Sequence, residues 1–551
     1  MALSEEDDWG TAMTLHFATI WETVADHAPG REAVVCDGQT RLWGDYEDRA
    51  ARLATLFAEA GLKTDSKVGI YLHNSIEYLE SQFAAFKIGG CPINVNYRYK
   101  ADELVYLLDN SDAEAVVFQG SYAMRIWEIR ERLPKIKLFV QVDDGSAETL
   151  LDFAVPYESL QRSAPLPRQV QRDDGVYMLY TGGTTGMPKG VMYPTSGFSA
   201  GMLGIAAAGH GLEPPSDIDG VRRFLEQIEH TPRSLPACPM MHGTGMWLGC
   251  MVPHAQGGTV IATSQLGLDP HRLWQLVQTQ SATEMVIVGD AFARPLLQAL
   301  GEAKSAGEPY TPAALAQIVS SGVMWSAETK AGLLEHLDVA LIDIMGSSEG
   351  GMGMSVTSRE AKAGTARFEL NEGVKVFTED DREVAPGSGE MGMIGTTGLV
   401  PIGYYKDERK SAATFREING VRYSFPGDFA TVEADGSITL LGRGSVCINT
   451  AGEKVFPEEV EEALKRHDDV TDALVVGQPD ERFGERIVAV VAGRDGATAA
   501  DGETLMAFAR EQLAGYKAPR QVIFVPQVRR APNGKADYKW ARSVAEEHAG
   551  G

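Results

Sequence analysis

The sequence predicts an α/β protein: a large N-terminal domain of doubly wound sheets carrying a β-barrel-like subdomain, followed by a small α+β C-terminal domain. Three observations predict it. Strand-like and helix-like runs alternate through the first two thirds of the chain, the rhythm of parallel strands covered by helices. From about Gly364 the pattern changes to short strands punctuated by Gly and Pro, as in "GVKVFTEDDREVAPGSGEMGMIG" and "GSITLLGRG", which reads as antiparallel or barrel-like. After "GRGSVCINTAGEKV" a compact α+β unit closes the chain.

In order, the first alternation runs "REAVVCD", "YEDRAARLATLFAEAG", "KVGIYL", "SIEYLESQFAAFKIGG", "CPINVN", "ADELVYLLDN" and "AEAVVFQ". It resumes with "GTVIAT", "DPHRLWQLVQTQ", "TEMVIVG", "ARPLLQALGEA", "LAQIVSSG", "AETKAGLLEHL" and "VALIDIMGSSEG". Ligands of such sheets sit beyond the carboxyl ends of strands, which marks "SSG" and "GSSEG" as site candidates. In the last unit, "FPEEVEEALKRH" reads as a helix with Pro457 in its first turn. "VTDALVVG", "RIVAVVAG" and "QVIFVP" read as strands, a helix is expected near 503–514, and "APNGKADY" as a tail loop. The domains are expected at 1–443, with the barrel-like part at about 364–443, and at 444–551, with a hinge near Ser445.

Composition excludes several classes. A chain of 551 residues with 44% hydrophobic and 23% charged residues is an ordinary globular sequence. A formal net charge of -26 argues against nucleic acid or anionic lipid as partner, so any polyanion site must be local. Cys36, Cys91, Cys238, Cys250 and Cys447 are odd in number, with no CxxC and no zinc spacing, and are expected as buried free thiols in a reducing compartment. The acidic start "MALSEEDDWG" is unlike a signal peptide, and no integral membrane segment is found, so the cytoplasm is expected.

"YTGGTTGMPKG", Tyr180 to Gly190, holds four glycines, three threonines and one lysine, the composition of a phosphate loop. It fails the GxxxxGK[ST] spacing, because Lys189 follows a proline and precedes Gly190. With "GSSEG", "YSFPGDFA", "LLGRGSV", "AGEKVFPEEVE" and "PNGKADY", it occurs in the order and approximate spacing of the adenylate-forming superfamily of acyl-CoA synthetases, luciferases and peptide-synthetase adenylation domains. The chain resembles that superfamily over nearly its whole length.

The resemblance implies a two-step reaction. A carboxylate joins ATP at the α-phosphorus with loss of pyrophosphate, and a thiol then attacks the acyl adenylate. Both steps need charge stabilisation more than acid–base work. It implies that Thr181, Gly182, Gly183, Thr184, Thr185, Gly186 and Lys189 hold the β and γ phosphates. It gives Ser348 and Glu349 to Mg²⁺ and the α-phosphate, as hard oxygen ligands, with Gly346 and Ser347 beside the nucleotide. Asp428 would accept the ribose hydroxyls and Arg443 would add a ribose or phosphate contact. Gly322 would let adenine approach the backbone, while Val323, Met324, Met345, Gly243 and the gate residue His242 would line the acyl pocket. Ala451 and Gly452 would pass the pantetheine arm of coenzyme A, and Lys535, on a mobile C-terminal domain, would bridge carboxylate and α-phosphate. Lys189 is left a supporting role.

The sequence departs from the family at Met345, where an aromatic is usual, at Ser348, where Thr is usual, and at Ser445, where Asp or Lys is usual. Its segment between Tyr193 and Pro239 is longer than usual and is expected to form a helix near the acyl entrance or a subunit contact, as in a homodimer. That segment, with "HGTGMW", "GDAFARPLL" and "GRGSVCINT", looks most like the actinobacterial fatty-acyl and steroid side-chain CoA ligases. Gly243, Gly245, Met246, Gly289, Val323, Gly346 and Gly353 suggest a roomy uncharged pocket. A luciferase-like oxygenase, a free-standing enzyme loading a carrier protein, and a silent acyl-binding relative remain open beside an ATP-dependent acyl-CoA ligase.

Overall fold

Period-two and period-3.6 apolar patterns bury their faces as expected in the computed structural model, which describes residues 15–146, 149–171, 174–181, 187–361, 364–450, 453–480, 484–494, 501–531 and 534–548. The chain forms two units. The first holds Met1–Ile287, Tyr310–Ile318 and Pro401–Ala412, and the second holds Val288–Pro309, Val319–Val400 and Ala413–Gly551.

In the first unit, strands Cys91–Asn94, Lys67–Tyr71, Ala113–Gln119, Leu138–Val142 and Val155–Pro156 lie side by side in that order, all parallel. Ala115 to Phe118 are all buried, the unbroken apolar run that a strand covered on both faces requires. In a second sheet, Glu284–Ile287, Arg233–Pro236, Thr259–Ala262 and Glu32–Cys36 are parallel and Gln39–Leu42 adds an antiparallel edge. The run "REAVVCD" therefore belongs to a different sheet from "KVGIYL", "CPINVN" and "AEAVVFQ".

Helix Ile76–Lys87 packs on strands of both sheets, and all of its residues except the half-buried Glu77 are buried. The two buried charges are tolerable because each is paired. Glu80 meets Arg49 at 2.7 Å, Arg41 at 3.2 Å and the Tyr157 hydroxyl at 2.6 Å, and Lys87 meets Glu22 and Glu47 at 2.6 Å each. Stripping either charge of all its partners would strand it, a loss of about 3–5 kcal/mol. The long segment after Tyr193 contains two helices, Thr195–Gly209 and Ile218–Gln227. The second is capped by Asp217 and packs its Val221, Phe224 and Leu225 face near helix Phe17–His27.

In the second unit, Ala340–Ser347, Gly350–Thr357, Arg367–Leu370, Ile438–Arg443, Asp428–Val432, Met391–Gly395 and Lys375–Phe377 follow one another as antiparallel neighbours. Their core is a cluster of Met345, Met352, Phe368, Val376, Ile394 and Ile438. A hairpin, Phe415–Ile418 with Val421–Ser424, joins them through a Thr396–Ser424 bridge. Within the expected subdomain, Pro401–Ala412 belongs instead to the first unit.

The last part of the chain forms its own sheet, in the order Glu453–Val455, Ile448–Thr450, Gly484–Gly493 and Val470–Asp480, with Gln521–Val525 parallel to Gly484–Gly493. Alternate residues feed two cores: Ala473 and Val475 join one, Leu474 and Val476 the other. A strand buried on both faces explains the nearly continuous apolar run "ALVV". Helices Pro457–Lys465, Gly502–Gln512 and Tyr538–Glu547 cover it. Among the described residues, no helix is long and apolar enough to cross a membrane.

Candidate active site

"GSSEG" is a hairpin. Ala340–Ser347 pairs with Gly350–Thr357 down to Ser347 opposite Gly350, which leaves Ser348 and Glu349 as a two-residue turn at the tip. Ser347 Oγ accepts from the Glu349 backbone N–H at 3.0 Å and fixes that turn. Asp428 and Arg443 are opposite one another in a second antiparallel pair, so Arg443 Nε reaches Asp428 Oδ1 at 3.3 Å. Asp428 Oδ2 is buried and has no hydrogen-bond partner among the described residues, an acceptor that a ligand donor would satisfy.

Lys535 stands on a loop that is tied down on both sides. Arg530 pairs both ways with Asp472, Nε to Oδ2 and Nη2 to Oδ1 at 2.7 Å each, and donates to the Gly534 carbonyl at 3.2 Å. Ala531 N–H donates to the Lys535 carbonyl at 2.8 Å, and Asp537 caps helix Tyr538–Glu547 through the Trp540 N–H. The Lys535 ammonium is held below the ordinary lysine range, first by desolvation and then by Arg443, while Glu349 and Asp428 oppose the shift. Solvent still reaches the residue. Four motifs far apart in sequence thus bring one ammonium, one guanidinium and two carboxylates within electrostatic reach.

Segment Ser320–Ser326 is clamped to the start of helix Gly289–Ser305. Gly289 N–H donates to Ser320 Oγ at 2.9 Å, Asp290 N–H to the Met324 carbonyl at 3.0 Å, and Ser326 N–H to Asp290 Oδ1 at 3.0 Å. Gly322 has φ +91° and is exposed, and Val323 and Met324 are half-buried. Met345 is buried in the antiparallel core, where it packs with Met352 and Phe368.

In the first unit, the glycine loop joins two antiparallel strands, Val176–Thr181 and Lys189–Pro194, with Thr181 opposite Lys189. Gly182 to Gly186 lie outside the described residues. Lys189 Nζ bonds Asp407 Oδ2 at 2.5 Å and stands 5.7 Å from the Tyr404 ring centroid. Asn94 Nδ2 donates to the carbonyls of Tyr180 and Met241 at 2.8 and 2.7 Å and so ties the loop's first strand to the residue before His242. His242 and Gly243 lead into a π-helix, Thr244–Met251, a form that recurs at functional sites. A Cβ on Gly243 would stand 3.3 Å from Trp247.

Sequence reasoning missed Asn94, Asp290, Arg294, Asp407, Asp472 and Arg530, because each acts through a partner remote in sequence. It also put Gly245 and Gly353 in a pocket. The structure gives both a packing reason: a Cβ would meet the Pro239 carbonyl oxygen at 2.5 Å and that of Glu369 at 2.3 Å. Ala451 and Gly452 lie outside the described residues. Ser445 falls in a single 3-10 turn, Gly444–Val446, between two strands. No group of three or more His, Cys, Asp or Glu able to hold a metal occurs among the described residues.

Comparison with known proteins matches residues 21–405 to the family described as AMP-binding enzyme and residues 459–535 to the AMP-binding enzyme C-terminal domain. A medium/long-chain-fatty-acid–CoA/3-oxocholest-4-en-26-oate–CoA ligase of Mycolicibacterium smegmatis is 41% identical over 546 residues, covering 97% of each chain. A 3-oxocholest-4-en-26-oate–CoA ligase of Rhodococcus rhodochrous is 42% identical over 542 residues, 96% of each chain. Among solved structures, an anthranilate CoA ligase in complex with anthranoyl-AMP shares the fold, with a TM-score of 0.84 over 98% of each chain at 19% identity. The chain belongs to the AMP-binding enzymes, the adenylate-forming superfamily whose motifs it carries.

Proposed function

We propose that the protein is an ATP-dependent, AMP-forming acyl-CoA ligase that activates a medium- or long-chain fatty acid or a steroid side-chain acid, then transfers the acyl group to coenzyme A. Relatives named for those activities, alike over nearly the whole chain, support the substrate class. The single observation that carries the chemistry is the gathering of Lys535, Arg443, Asp428 and Glu349 from separate motifs.

Carboxylate and α-phosphate repel one another as they approach bonding distance. In this reading Lys535 bridges them and stabilises the charge building on phosphorus. Asp428 offers its unused Oδ2 to the ribose hydroxyls, a task for a group that only accepts, and Arg443 holds the other oxygen in place. Thr181, Lys189 and the loop between them hold the pyrophosphate end. Gly322 leaves its backbone open to adenine; their motifs assign Gly346 and Ser347 to the nucleotide and Val323 and Met324 to the acyl group, as the motif of the first unit assigns His242 and Gly243. Met345 shapes that wall from within the core.

Ser348 and Glu349 at the hairpin tip supply hard oxygens of the kind Mg²⁺ prefers. Bound there, Mg²⁺ would neutralise phosphate charge. Coenzyme A would pass Ala451 and Gly452. The boundary at 443/444, rotation about Ser445, a homodimer and a cytoplasmic location belong to the same proposal.

A panel of acids assayed with ATP and either coenzyme A or a carrier protein, scored by kcat/KM, tests it. Preference for acetate or a polar amino acid would overturn the apolar substrate class. Transfer to a carrier protein in preference to coenzyme A would favour the carrier-loading alternative.

A further inference from the structure

The first turns of helix Gly289–Ser305 face two ways. On one side Asp290 holds Ser320–Ser326: its N–H donates to the Met324 carbonyl, and its Oδ1 accepts from the Ser326 N–H, each at 3.0 Å. A Cβ on Gly289 would lie 2.5 Å from the carbonyl oxygens of both Val323 and Met324, so the fit has no slack. On the other side the same carboxylate pairs through Oδ2 with Arg294 Nε at 2.9 Å, and Arg294 Nη1 donates to the Thr471 carbonyl at 3.1 Å. Thr471 is next to Asp472, which clamps Arg530 and through it the Lys535 loop. Asp290 also acts electrostatically on Lys465, at the end of helix Pro457–Lys465. The loop itself touches the helix, since a Cβ on Gly534 would come within 2.7 Å of Ala291 Cβ.

A continuous chain of contacts therefore runs from the loop bearing Lys535, through Asp472, Thr471, Arg294 and Asp290, to Ser326. We propose that Arg294 and Asp290 are positioning residues that couple docking of the Lys535-bearing region to the shape of the Gly322–Ser326 wall. The inference rests on the proposed roles of Lys535 and of that wall. Arg294 suits the task because a guanidinium can serve a carboxylate and a carbonyl at once from a planar fork. With Arg294 engaged, the lysine region and the substrate wall are set together, and adenylation begins only when both are in place. Thioester formation, in which the proposed rotation carries Lys535 away, does not use the coupling.

The test is Arg294→Ala in the full chain, with acid-dependent ATP–pyrophosphate exchange and thioester formation from supplied acyl adenylate measured separately. Exchange should lose about tenfold in kcat, the loss typical of one charge-assisted hydrogen bond, and KM for the acid should rise several-fold. Thioester formation should stay within about twofold of wild type, since no contact it uses is removed. Arg294→Lys, which restores the pair with Asp290 but not both bonds, should recover only part of the kcat. In an Asp290→Asn background, Arg294→Ala should do less to the acid KM than it does alone. Wild-type exchange kinetics in Arg294→Ala, or equal loss in both half-reactions in a folded variant, would overturn the coupling alone. A wild-type enzyme with no acid-dependent exchange would overturn the proposed function and the coupling with it.

Discussion

Replacing Lys535 with Ala removes one positive charge from a group of four. Lys535 interacts electrostatically with the carboxylates of Glu349 and Asp428 and with the guanidinium of Arg443, so the four side chains are balanced with it and carry one net negative charge without it. That negative charge then meets the phosphate and carboxylate the enzyme must bring together. Two unit charges about 4 Å apart interact by ~1 kcal/mol in water and ~4 kcal/mol at an effective dielectric constant of 20. Solvent reaches Lys535, which favours the lower end, whereas substrates that displace water favour the upper. Losing a contact aimed at developing charge costs about 2.7–4 kcal/mol, on the order of 100- to 1,000-fold in rate. Acyl-adenylate formation, followed by pyrophosphate exchange, should fall by that factor in Lys535→Ala, while thioester formation from supplied acyl adenylate continues. The pH profile adds a signature. Because the ammonium is held below the ordinary lysine range, wild-type adenylation should decline with rising pH before that range is reached. Lys535→Arg, which keeps its charge, should move the decline upward. A folded Lys535→Ala that slows both half-reactions alike would refute the reasoning.

Lys189→Ala should mainly raise KM for ATP several-fold, and because the Lys189–Asp407 pair is about one-third exposed on each side, it should cost less than ~1 kcal/mol of stability. A large fall in kcat at saturating ATP would instead give Lys189 the role assigned to Lys535. Ser445→Pro fixes a φ angle in the turn between strands Ile438–Arg443 and Ile448–Thr450, and should slow thioester formation more than adenylation. Wild-type turnover would move the hinge elsewhere. Glu461 is buried, its Oε1 accepts from the Val475 N–H at 2.9 Å, and desolvation, then Glu458, pushes its carboxyl up. A carboxyl raised in the folded state binds more protons there than when unfolded, so stability should fall as pH climbs from the ordinary carboxylate range to the raised value and level off above it. Glu461→Gln keeps the acceptor and loses the titration. Its Tm should therefore vary less than wild type between pH 5 and pH 9, and an unchanged slope would assign the dependence to other groups.

The sequence by itself determined whatever has a short period or a fixed spacing. The apolar run in "VTDALVVG" marked a strand, Pro457 marked the start of a helix, and six ordered motifs carried the family. The tertiary structure decided the partnerships. Nothing local tells Lys189 that Asp407, 218 residues on, will bond it, or that Asn94 will hold the carbonyls of Tyr180 and Met241. The motif around Met345 marked it as a site residue, yet strand alternation turns its side chain into the core of a sheet. Gly245 and Gly353 looked like room for a substrate and are room for neighbouring backbone. The physical reason is common to all of these. Backbone preference and burial pattern repeat over a few residues and can be read there, whereas an ion pair or a close backbone approach depends on which distant segment the packed fold places opposite.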